Sequence, residues 1–164
     1  MLRLIILGIF ALGSAHGAAC DRACLKAALD QYLDAVVQHN PSGAPLSAGF
    51  RQTENAMVKR PGTGLWQSAR TVVKLQRRYF DAESGQAGFF GIIDEASGTV
   101  IATLRLKVEE RKITEAEWVL SRKGDPGLGT QGAGQADAAF HNPDFLIEHP
   151  PAQRIIAKGS RAPI

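Results

Sequence analysis

Cysteine and histidine are scarce in this sequence, with two and four representatives among 164 residues. Both cysteines, Cys20 and Cys24, lie near the start, and once they pair no thiol remains for a nucleophile or a cysteine-rich metal site. Beyond the N-terminal segment the only histidines are His39, His141 and His149. No two of them share a helix or strand at ligand spacing, which excludes a zinc-type donor set. The same scarcity excludes a Ser/His/Asp triad. Glycines at 124–134 follow a strand but open no helix, so there is no phosphate loop. The sequence therefore asks for no metal and no cofactor. Long apolar runs are absent too: Leu4 to Leu12 falls well short of the ~20 residues that span a bilayer. Nor is the charge one-sided, with 19 basic against 16 acidic residues. Such a balance demands neither a nucleic acid nor an anionic membrane as partner.

The N-terminus carries the clearest signal. Arg3 precedes the apolar run, and small residues continue to Ala19, the order of a cleaved export signal. Cleavage after Gly17 or after Ala19 satisfies the small-residue rule. The second frame makes Cys20 the new N-terminus and raises lipid attachment as an alternative, although Gly17 stands where a lipoprotein signal carries an aliphatic residue. Residues 1–19 are thus expected to be removed, and the protein to be secreted or periplasmic. In an oxidising compartment Cys20 and Cys24 invite a disulfide, feasible if Cys20 lies in the lead-in to the first helix.

Leu25, Ala28, Leu29, Tyr32, Leu33, Val36 and Val37 recur at three and four residues, with Asp21 placed to cap the helix and Asn40-Pro41 to end it. Residues 41–49 read as a loop and 50–58 as a strand. A Pro-Gly-Thr-Gly turn at 61–64 and a short helical turn at 65–69 follow. Strands are predicted over 71–80, 86–94, 99–109 and 112–121, joined by short turns. In the third, Val100, Ala102, Leu104, Leu106 and Val108 share one face. Lys74, Arg77 and Arg78 read as solvated strand surface. The fold class is α+β, one helix packed on a curved antiparallel meander sheet. Residues 20–123 make the domain. Residues 124–164 make a Gly-rich linker and a Pro-containing tail with one apolar patch, Phe140 to Ile147.

The hairpin from Leu104 to Glu117, with Lys112-Ile113-Thr114-Glu115 after a polar turn, resembles the terminal hairpin of nuclear-transport-factor-2-like, SnoaL-like domains. Thr53-Glu54-Asn55 followed by Gly62-Thr63-Gly64-Leu65-Trp66 resembles a secreted branch of that group, which also has a Cys pair before its first helix. The resemblance implies a cone-shaped α+β barrel around an apolar cavity, with dimers forming through the outer face of the sheet. It includes isomerases, dehydratases, cyclases and non-catalytic binding modules, so fold alone does not name a reaction.

Within that frame Tyr32, Glu54, Asn55 and Trp66 are the ligand-binding candidates. Glu54 in the cone mouth against apolar walls is the candidate general base, and the competing reading points it to solvent. Asn55 either donates to a ligand or satisfies a neighbouring segment. Trp66 is a pocket wall or a core plug, and Tyr32 a cavity donor or a core tyrosine with its hydroxyl at the rim. Glu115 and Glu117 share a strand face and read as surface carboxylates within reach of Arg105. No His-Asp dyad of the dehydratase kind can be placed in the sheet. Two functions follow: a secreted small-molecule-binding or interaction domain without catalysis, and a carboxylate-driven isomerase, cyclase or lyase acting on an apolar metabolite through Glu54.

Overall fold

The computed structural model describes residues 20–122 and Asp125. The segment expected to be an export signal, 1–19, and, Asp125 apart, the expected linker and tail at 124–164 lie outside the described residues.

Helix α1 runs Arg22–Val37. Asp21 caps it as its spacing predicts, its carboxylate accepting the Cys24 N–H at 2.8 Å. Leu25, Ala28, Leu29, Tyr32, Leu33, Ala35 and Val36 form the buried stripe. Cys20 and Cys24 are bridged across the cap, as their placement at the helix lead-in allows. Among the described residues no helix is long and apolar enough to cross a membrane.

After a single 3-10 turn at Pro41–Gly43 the chain enters β1, Leu46–Glu54, and β2, Met57–Lys59. Here the structure departs from the sequence reading. The supposed loop 41–49 already contains the first strand, and the supposed strand 50–58 is broken by a tight turn at Asn55-Ala56, with φ of 47° and 65°. The turn escapes notice because alanine stands where a glycine usually marks such a hairpin. The short helix α2 spans Leu65–Ser68. The meander follows as β3, Ala69–Asp81; β4, Gln86–Glu95; β5, Gly98–Glu109; and β6, Lys112–Ser121.

The six strands form one curved sheet in the order β2-β1-β6-β5-β4-β3. Strands β3 to β6 pair antiparallel as consecutive hairpins must, but β1 joins β6 in parallel. The sheet is therefore mixed rather than wholly antiparallel, and it stays open rather than closing into a barrel. A pair joined through the whole meander is not bound to the hairpin direction. Register shifts between Ala69 and Thr71 and between Val72 and Gln76 bend β3. Gly91 permits this: a Cβ there would lie 2.8 Å from Gln76 Cβ and 3.1 Å from the Leu75 carbonyl.

Helix α1 lies on the concave face. The core there joins its stripe to Phe89, Ile93, Trp66, Trp118 and the five alternating residues Val100 to Val108, all buried. Arg78 is a correction. The register of β3 after its bulge turns Arg78 toward α1, where it pairs with Asp30, instead of leaving it on a solvated surface. Arg22 lies over the Phe80 ring at 5.0 Å.

Candidate functional site

Gln52 and Glu54 are two apart on β1 and so project to one face, toward α1 and α2. Gln52 is the hub. Its Oε1 accepts the Tyr32 hydroxyl at 2.9 Å and the Trp66 Nε1–H at 2.7 Å. Its Nε2 donates to Glu54 Oε1 at 3.4 Å, and the same oxygen accepts the Leu65 N–H at 2.8 Å. The Tyr32 oxygen in turn accepts the Trp118 Nε1–H at 3.3 Å. Tyr32 meets Trp66 edge-on at 5.3 Å and stacks with Trp118 at 6.2 Å. Burial pushes the Tyr32 hydroxyl well above the ordinary phenol range, so it stays protonated.

The relation between the Thr53-Glu54-Asn55 and Gly-Thr-Gly-Leu-Trp segments is now physical. Gly64 has φ of 65°, and a Cβ on it would fall 2.3 Å from Glu54 Oε2, so only glycine lets the loop backbone reach this carboxylate. Glu54 grips the start of α2, and Trp66 plugs the core beneath it. His39 Nδ1 bonds the Trp66 carbonyl from the end of α1. Asn55 turns the other way: its Nδ2 donates to the Leu120 carbonyl at 2.9 Å and its Oδ1 accepts the Leu120 N–H at 2.7 Å, extending the β1–β6 pairing with a side chain.

Of the four candidates, then, the structure brings Tyr32, Glu54 and Trp66 together and leaves Asn55 outside. Tyr32 and Trp66 have no exposed surface and Glu54 is 8% exposed, so these side chains meet each other rather than an open cavity. Gln52 was missed, although its position two before Glu54 put it on the same face. Glu95 and Arg122 were missed as well. Arg122 grips buried Glu95 through both Nε and Nη2, at 2.7 and 2.6 Å, and Ser68 donates to the same carboxylate at 2.7 Å. The Arg122 guanidinium holds the Glu95 carboxyl below its ordinary range. No local pattern announces a pair 27 residues apart. Glu115 and Glu117 both bond Arg105, and Arg51 adds a second bond to Glu115.

One surface cleft of about 210 Å³ lies between the end of α1 and the start of β3, lined by Asp34, Val37, Gln38, Arg70, Thr71 and Val72. It shares no residue with the interior network.

One long helix on the concave face of a curved sheet, with this hairpin order, is the architecture of the nuclear-transport-factor-2-like, SnoaL-like cone domains. Solved structures similar to this chain include a cystatin-like-fold protein of unknown function from Methylobium petroleophilum PM1, with 11% identity, TM-score 0.53, and 68% of this chain and 85% of that chain covered. AusH from Aspergillus nidulans is similar at 9% identity and TM-score 0.51, covering 66% and 91%. A putative ketosteroid isomerase from Kribbella flavida is similar at 14% identity and TM-score 0.50, covering 83% and 96%. At these identities the likeness is one of fold. No curated protein matches the sequence. The chain belongs to the family described as domain of unknown function DUF8021, whose model matches residues 18–122.

Proposed function

We propose that this chain is an exported interaction or small-molecule-binding domain that performs no chemistry of its own. The interior network carries the reading. A general base needs a carboxylate oxygen facing the substrate, and a cavity donor needs a proton not already committed. Here Glu54 Oε1 holds two donors, and the one Tyr32 proton goes to Gln52. An isomerase or lyase working through Glu54 would first have to detach the 60–68 loop from it. Binding is left to the surface, where the cleft between α1 and β3 has Val37 and Val72 among its lining and charged Asp34 and Arg70 beside them. The disulfide fits an oxidising compartment. Residues 20–123 act as the folded unit, and 124–164 as an appendage on it.

The test incubates the mature protein with a small-molecule extract of its source culture, followed by ultrafiltration and mass spectrometry. The reading expects retained compounds to leave with unchanged mass and no new products to accumulate. A product formed by the wild type and lost in Glu54→Gln would overturn it in favour of the carboxylate-driven enzyme.

A further inference from the structure

We infer that the cleft between α1 and β3 is a site for an apolar α-amino acid in its zwitterionic form, a ligand class that rests on the binding role proposed above. The two walls of the cleft carry opposite charges that the protein leaves unpaired. Asp34 stands near the end of α1 and Arg70 near the start of β3, and both line the cleft. Among the described residues neither side chain has an ion-pair or hydrogen-bond partner, and the two do not pair with each other. Asp30, one turn earlier on the same helix, is paired by both Lys26 and Arg78. The last turn of α1 also carries no basic residue, although the negative end of a helix favours a cation. The helix wall therefore suits a cation, and the Arg70 wall an anion.

Local structure aims these groups. Ala69 pairs with Glu95 and Thr71 with Asp94, so Arg70 is the extra residue of a bulge, a device that re-aims a side chain out of the strand's alternation. Strand β3 is an edge of the sheet, so no further strand covers the cleft on that side. The lining also includes two half-buried apolar side chains, Val37 and Val72. Volume sets the size of the occupant: about 210 Å³ falls below the ~300–1,000 Å³ of pockets for drug-sized molecules. A small amine alone would leave Arg70 unmatched, and a small carboxylate alone would leave Asp34 unmatched. An α-amino acid answers both, with its ammonium on Asp34 and its carboxylate in the Arg70 fork. An aliphatic side chain then rests against the two valines.

NMR titration of the full mature chain with L-leucine tests this, reading the amides of residues 34–38 and 70–72. The expected result is a saturable shift confined to these amides, with a Kd of roughly millimolar or tighter. Asp34→Asn and Arg70→Gln should each weaken binding about tenfold, the effect of losing one hydrogen bond to a charged group. Leucine methyl ester, which lacks the carboxylate, and isocaproate, which lacks the amine, should lose about as much. Both substitutions fall at exposed positions, and unchanged amides in β5 show that each variant is folded. No saturable shift at leucine concentrations roughly tenfold above millimolar, or binding that survives both variants undiminished, overturns the inference. Where leucine fails but a compound retained from the culture extract moves these same amides, the ligand class falls and the binding role stands. Where leucine fails and the extract yields no retained compound either, the binding role falls with it.

Discussion

Gln52→Leu should be among the most damaging substitutions of a polar residue in this domain. Leucine matches the bulk of glutamine but accepts no hydrogen bond. It strands two buried donors, the Tyr32 hydroxyl and the Trp66 indole N–H, which now lie 2.9 and 2.7 Å from Gln52 Oε1. Each orphaned neutral donor costs about 1–3 kcal/mol. The leucine's own burial offsets part of this, leaving a net loss of roughly 2–4 kcal/mol. Set against a total stability of about 5–15 kcal/mol for a domain of this size, that is a large fraction. Urea unfolding followed by the emission of Trp66 and Trp118 reads the change directly. Tyr32→Phe provides the internal control. Alone it leaves the Trp118 N–H without its acceptor, but in Gln52→Leu it removes one of the two orphans. The double variant should therefore be more stable than the sum of the single losses by about 1 kcal/mol. A Gln52→Leu loss below about 0.5 kcal/mol, the range of ordinary surface changes, would refute the network's structural role.

Ala56→Gly should raise stability by up to about 1 kcal/mol, because glycine removes the left-handed strain at φ 65°; thermal melts of the two proteins check it. Glu95 should contribute an acid-dependent part of stability. Its folded pKa lies below its unfolded value, so the contribution is complete above the unfolded pKa and is lost as pH falls through the folded one. Urea midpoints measured between neutral and acid pH should fall less steeply in Glu95→Gln than in the wild type. Reducing the Cys20–Cys24 bridge should cost no more than about 2 kcal/mol, since it closes a very short loop; paired melts with and without reductant measure it.

Much of this fold could be read from periodicity alone. The stripe of α1 and the alternation of β5 are each set by burial against one partner layer, and such patterns survive in a single sequence. What escaped was decided by pairing at a distance. Nothing local to Leu46–Glu54 says that it adds in parallel to β6, and nothing near Arg122 says that it will grip Glu95. The candidate site was half legible for a related reason. Tyr32, Glu54 and Trp66 were singled out as polar or aromatic residues in apolar company, and they do converge. Their roles depend on Gln52, which looked like an ordinary residue on a half-exposed strand until α1 and α2 were packed over it.

The central claim is that this constellation is a closed structural network rather than a ligand cavity. Exchange of the Trp66 and Trp118 indole protons with solvent, followed by NMR in native conditions, tests it most directly. A structural network predicts that both protons exchange only through global unfolding, with the free energy found by denaturation, and that ligands retained from the culture extract leave their resonances in place. Exchange of Trp66 through a local opening of several kcal/mol less, together with a shift of its resonance on adding those ligands, would contradict the account and return these residues to a binding pocket.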